Sequence, residues 1–151
     1  MALRGARGWR RGTLWGAAGY LVFFVAPAVG LPPELPGTEA APLHDRQVWW
    51  TGTVILSATG LGLAVFAKNI AVRVLGLALM ATPHIVGAPV AAIHGGTAPQ
   101  ELAREFVRAA YVANAAFWLA LGALVGRVLK LAPSSLPPHF ATANPGRNAD
   151  R

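Results

Sequence analysis

VWWTGTVILSATGLGLAVFA, residues 48–67, runs for twenty residues without a charged side chain. A helix of that length rises about 30 Å, which matches the hydrocarbon core of a bilayer. A helix in a soluble bundle needs a polar stripe at helical spacing to face water, and this segment has none. It reads as a transmembrane helix.

Three more stretches read the same way. They are residues 13–31 (TLWGAAGYLVFFVAPAVGL), 74–93 (VLGLALMATPHIVGAPVAAI) and 106–129. Arg108 lies near one end of the last, where its long stem lets the charge reach the surface. The expected fold class is therefore all-α, an integral membrane bundle of about four transmembrane helices. Composition agrees: 54% of the 151 residues are hydrophobic and 13% are charged, where a soluble domain carries about 25%. The membrane domain is expected over residues 1–131. The proline-rich polar segment 132–151 lacks periodicity and is expected to be a disordered cytoplasmic tail. The spans show no internal repeat. The first is longer than a signal-peptide core and ends in GLPPELPG rather than a small-residue cleavage site, so it is read as retained.

Charge sets the orientation. With the N-terminus inside, ten basic residues (Arg4, Arg7, Arg10, Arg11, Lys68, Arg73, Arg127, Lys130, Arg147, Arg151) fall on the cytoplasmic side. Three (Arg46, Arg104, Arg108) fall outside. The asymmetry follows the positive-inside rule and predicts both termini in the cytoplasm. Trp49 and Trp50 then lie at the outer interface, where aromatic belts form.

The same pattern excludes several functions. The net charge of +7 would point to nucleic acid in a soluble protein, but here the basic residues flank apolar runs, and no nucleic-acid partner is expected. Cysteine is absent, which removes disulfides and thiolate chemistry. Met1 and Met80 are the only methionines, too few for a thioether copper path. No phosphate loop, helical H-E-x-x-H or nucleophile elbow occurs. The chain reads as a non-enzyme with no permanently bound cofactor; its lipid bilayer is its first partner.

Three constellations carry polar chemistry. In TPHIVGAP, residues 82–89, Pro83 and Pro89 each deprive a carbonyl of its helical donor, with Gly87 between. Irregular backbone at membrane depth is tolerated where it is buried in protein or lines a cavity. His84 sits at this break, and an intramembrane ionisable residue is a functional candidate. Imidazole suits cobalt, nickel and zinc. The competing reading is a neutral histidine bonded to a neighbouring helix, with the prolines giving only a kink.

The outer loop GLPPELPG holds Glu34 between Pro32, Pro33 and Pro36, ahead of Gly37; His44 and Asp45 follow. A metal-collecting role for Glu34, His44 and Asp45 stands against a rigid cap with solvated acids. In HGGTAPQELAREF, Thr97 and Gln100 have capping-box spacing, and Glu101 and Glu105 share a helix face. Glu101 is a candidate cation ligand there, against plain helix-start electrostatics or pairing with Arg104 and Arg108. Gly12–Gly16 and Gly122–Gly126 are small-xxx-small pairs that favour close helix contact. They also suit self-association into a homo-oligomer. Asn114 is expected to bond across helices, and Trp118 to serve packing.

WRRGTLWGAAGY, APAVGLPPELPG, RQVWW, LALMATPHIVGAP and ELAREF…NAAFWLALGALVG occur in that order between residues 9 and 130. This succession resembles the CbtA family of predicted cobalt transporter subunits. The resemblance implies a multi-pass protein of the bacterial inner membrane, linked to cobalt uptake for cobalamin synthesis. It implies cobalt ion as substrate and a small single-helix CbtB-like partner with a histidine-bearing end. By position it carries over Glu34, Arg46, Gln47, Trp49, Trp50, His84 and Glu101, within a motif frame of Pro32, Pro33, Pro36, Gly37, Pro83, Gly87 and Pro89. Family members carry further hydrophobic sequence ahead of the WRRG region, which this chain is expected to lack. A reading of another class is a non-transporting membrane scaffold whose glycine faces dock a partner complex.

Overall fold

The computed structural model describes residues 8–91 and 99–131. Among these, all regular structure is helical, in four helices: α1 (Trp9–Gly30), α2 (Leu43–Phe66), α3 (Ile70–Val86) and α4 (Gln100–Leu131). Three of them, α1, α2 and α4, are long and apolar enough to cross a membrane. The tail from residue 132, with His139, and the segment 92–98, with His94 and Thr97, lie outside the described residues.

Helix α3 is shorter than the span expected over 74–93. Its 17 residues end at Val86 and rise about 25 Å, near the lower limit for crossing. Proline restricts the residue before it to extended backbone, so Ala88 cannot continue the helix into Pro89. Gly87 turns the chain with φ +89, and its N–H donates to the Pro83 carbonyl at 3.0 Å. Pro83 therefore lies inside α3, whereas Pro89 lies beyond it.

The other helices reach further than hydropathy indicates. Helix α2 begins at Leu43, so His44, Asp45, Arg46 and Gln47 are in its first turns rather than in a loop. Helix α4 begins at Gln100 and includes Glu101 and Glu105. Helix α1 contains a π-helical stretch, Leu21–Val25, directly before Ala26–Gly30. Pro27 lacks an N–H and its ring would crowd the carbonyl four residues back. The wider π turn relieves that crowding.

The packing is by glycine. Helix α1 lies along α4, and α2 along α3. A Cβ added at Gly12 would meet the Gly122 carbonyl oxygen, and Gly126 Cα at 2.8 Å. One added at Gly122 would meet the Gly12 carbonyl oxygen, and Gly16 Cα and N at 2.8 Å. The backbones approach until the Gly8 N–H donates to the Gly126 carbonyl at 2.8 Å across the pair. Between α2 and α3, Gly60 and Gly76 face each other in the same way. Small residues allow this closeness, and in lipid it is van der Waals contact that holds helices together.

Aromatic rings extend the α1–α4 contact. Trp118 stacks on Phe23 with centroids 5.4 Å apart, and Phe24 meets Tyr111 edge-on at 5.0 Å. The Tyr20 hydroxyl donates to the Tyr111 carbonyl at 3.0 Å. Asn114 donates instead to Ala110 of its own helix at 2.9 Å. The amide thus finds a partner within α4, and the cross-helix bond expected of it is not made. Helices α2 and α3 join through a short turn: Asn69 caps α3 by accepting from the Ala71 N–H at 2.8 Å, and Arg73 Nε donates to the Ala67 carbonyl at 2.8 Å.

Candidate functional site

The segment from Leu31 to Pro42 links α1 to α2. Leu35-Pro36-Gly37-Thr38 closes a turn in which the Thr38 N–H donates to the Leu35 carbonyl at 3.2 Å. Gly37 has φ +88, as a Pro-Gly turn requires. This tight link returns the chain so that Glu34 faces the start of α2. There its carboxylate pairs with Arg46 at 3.3 Å, both side chains about one-third exposed (30% and 32%). It is the single ion pair among the described residues. Glu101 and Glu105 are exposed on α4 and make no pair with Arg104 or Arg108.

One helical turn after Arg46, on the same face of α2, stands Trp49. Its ring fills the notch at Gly30 of α1, where a Cβ would lie 2.7 Å from the indole and 3.0 Å from the Ala88 methyl. The same ring meets His84 edge-on, with centroids 6.0 Å apart. Trp49 thus joins α1, α2 and the end of α3. Below it on α2 lie Thr53 and Ser57, both fully buried. The Thr53 hydroxyl donates to the Trp49 carbonyl at 2.8 Å.

Three buried polar side-chain atoms among the described residues have no hydrogen-bond partner: Arg46 Nε, Trp49 Nε1 and Ser57 Oγ. All three fall on one face of α2, at spacings of three and then eight residues, and they span about 16 Å along the axis. Buried polar atoms are normally partnered, and in hydrocarbon a lone one is costly. Their alignment makes a polar seam running from the Glu34–Arg46 pair down the inside of α2. Across from it, α3 buries Pro83 and Gly76. Pro83 leaves the Leu79 carbonyl without its helical donor, and His84 is the next residue.

The sequence candidates therefore divide. Glu34 pairs with Arg46, and Trp49, one turn further along α2, meets His84, which is exposed on α3. Gln47 and Trp50 are exposed on the adjoining face of α2, and both line a groove against α1. His44 and Asp45 are exposed at the start of α2, outside these contacts, and Glu101 is on α4. Among the described residues no group of three His, Asp or Glu side chains comes together to hold a metal ion. Thr53 and Ser57 were not singled out by sequence. Their signal was present, since hydroxyls at i and i+4 share a helix face, but hydropathy does not say which face is inward.

An all-helical bundle of apolar helices, packed on glycine and carrying a buried polar seam, is a helical membrane protein. The chain belongs to the CbtA family. The family model described as "Probable cobalt transporter subunit (CbtA)" matches residues 1–130, in accord with the resemblance read from the motifs. No curated protein and no solved structure matches the chain.

Proposed function

We infer that the chain is the membrane subunit of a cobalt uptake transporter in the bacterial inner membrane. The observation that carries this reading is the family match over residues 1–130, together with His84, which lies beside Trp49 at the proline-interrupted end of α3. The Arg46 and Trp49 nitrogens on the seam only donate hydrogen bonds and cannot ligate a cation; imidazole, by contrast, is a ligand suited to cobalt. Family membership supplies the metal.

His84 is the proposed ligand. His44, Asp45 and Glu101, exposed at helix starts on the outer side, gather cations electrostatically. Glu34 acts as one half of an ion pair, since the guanidinium beside it offsets its charge. One imidazole does not complete a coordination shell. The remaining ligands come from a partner, for which a single-helix subunit with a histidine-bearing end is the fitting kind. Both termini face the cytoplasm, following the basic asymmetry. The scaffold reading reserved the glycine faces for a partner complex. Gly12, Gly16, Gly122 and Gly126 are instead occupied by the α1–α4 contact within the chain.

The test is His84→Ala and His84→Gln, expressed with the partner subunit in cells limited for cobalt. Loss of cobalt-dependent growth with normal amounts of protein in the membrane is expected. Normal growth at normal abundance excludes His84 as a ligand.

A further inference from the structure

A groove of about 620 Å³ opens between α1 and α2 on the face beside the seam. Its two ends differ in chemistry. The mouth carries Glu34, Arg46 and Gln47, and the throat is lined by Phe23, Phe24 and Ala28. From Leu31 to Phe23 the groove follows α1 for eight residues, about 12 Å. Phe23 and Phe24 lie in the π-helical stretch of α1, and such turns recur at functional sites. An apolar throat offers a hydrated metal ion nothing, whereas an amphiphile can use both ends.

We propose that this groove binds a zwitterionic glycerophospholipid of the ethanolamine type, one acyl chain in the throat and the headgroup across the Glu34–Arg46 pair. The charges are complementary in order. Arg46 lines the groove with its side chain about one-third exposed and stands in the first turns of α2, whose N-cap, Pro42, contributes no side-chain hydrogen bond. A guanidinium and a helix N-terminus both favour a phosphodiester. Glu34, 3.3 Å from Arg46, then faces the ammonium group, whose N–H donors a carboxylate accepts. Choline offers no N–H, and glycerol offers no positive charge, so the pair discriminates among headgroups. The site shares Glu34 and Arg46 with the seam but does not use His84, and lipid retention is read without any transport assay.

The experiment uses the full chain in nanodiscs of mixed phosphatidylethanolamine, phosphatidylcholine and phosphatidylglycerol, with native mass spectrometry of the lipid that stays bound. Retention of phosphatidylethanolamine over the other two by about tenfold is expected, the size of one charge-assisted hydrogen bond. Two variants separate the ends of the groove. The double swap Glu34→Arg with Arg46→Glu keeps an ion pair but reverses its direction, and it should abolish headgroup preference. Ala28→Trp fills the throat and should reduce retention of every lipid while the ion pair stays intact. Circular dichroism and gel filtration check that both variants fold. Equal retention of the three lipids by the wild type, or preference unchanged by the swap, overturns the proposal. So does preferential retention of phosphatidylglycerol.

Discussion

Replacing Gly122 by alanine adds one methyl group at the tightest point of the α1–α4 contact. The new Cβ would lie 2.8 Å from Gly16 Cα and nearer still to the Gly12 carbonyl oxygen. Ordinary carbon contacts begin near 3.4 Å, so the helices must part by more than about 0.6 Å. All the obstructing atoms are backbone, which cannot rotate aside. The Gly8–Gly126 hydrogen bond at 2.8 Å stretches with them. Overpacking of this kind costs about 1–3 kcal/mol, and weakening the bond adds about 1 kcal/mol. Gly62→Ala is the internal control. Nothing lies within 4 Å of a Cβ there, and the helix gains about 1 kcal/mol in propensity. The two alanines should therefore differ by about 3 kcal/mol in reversible unfolding, measured by steric trapping in bicelles. Equal stability of Gly122→Ala and Gly62→Ala would refute the packing argument, because propensity alone treats the two positions alike.

Gly87→Ala should cost about 2 kcal/mol although the space around it is open, because φ +89 with ψ 146 is a conformation reserved for glycine. Gly52→Ala, equally open, inside α2 and without positive φ, should instead gain about 1 kcal/mol, as at Gly62. Ser57→Ala removes a buried hydroxyl that has no partner and should leave stability unchanged or raise it by up to about 1 kcal/mol. Thr53→Val removes a made bond and should lower stability by about 0.6 kcal/mol. The reverse order for these two would contradict the hydrogen-bond assignment. The chain has no cysteine, so Thr38→Cys gives a single label site, which should react with an impermeant maleimide in intact spheroplasts. Protection there would invert the orientation.

The helical membrane class was legible in the apolar runs because lipid imposes one requirement, internal satisfaction of the backbone, at the length of the bilayer. Helix ends were less legible. Hydropathy stops where side chains turn polar, but the backbone of α2 continues through His44, Asp45, Arg46 and Gln47, since an interface accepts polar side chains on a helix. At α3 the signal for an early end was present in Gly87 and Pro89, and the apolar residues beyond them masked it. Glycine pairs at four-residue spacing gave the packing face correctly. What no local pattern contains is which partner a polar group meets. Glu34 finds Arg46 only because the Pro36–Gly37 turn returns the chain, and Asn114 bonds within its own helix. The alignment of Arg46, Trp49 and Ser57 became visible only when α1 and α3 covered that face of α2.

Initial rates of labelled cobalt entry into cobalt-limited cells test the central claim most directly. Cells expressing this chain with the proposed single-helix partner should accumulate cobalt well above cells lacking the chain. His84→Ala, present in the membrane at normal abundance, should return the rate to that of the deletion. Entry at the same rate with and without the chain would contradict the assignment of cobalt uptake to this protein.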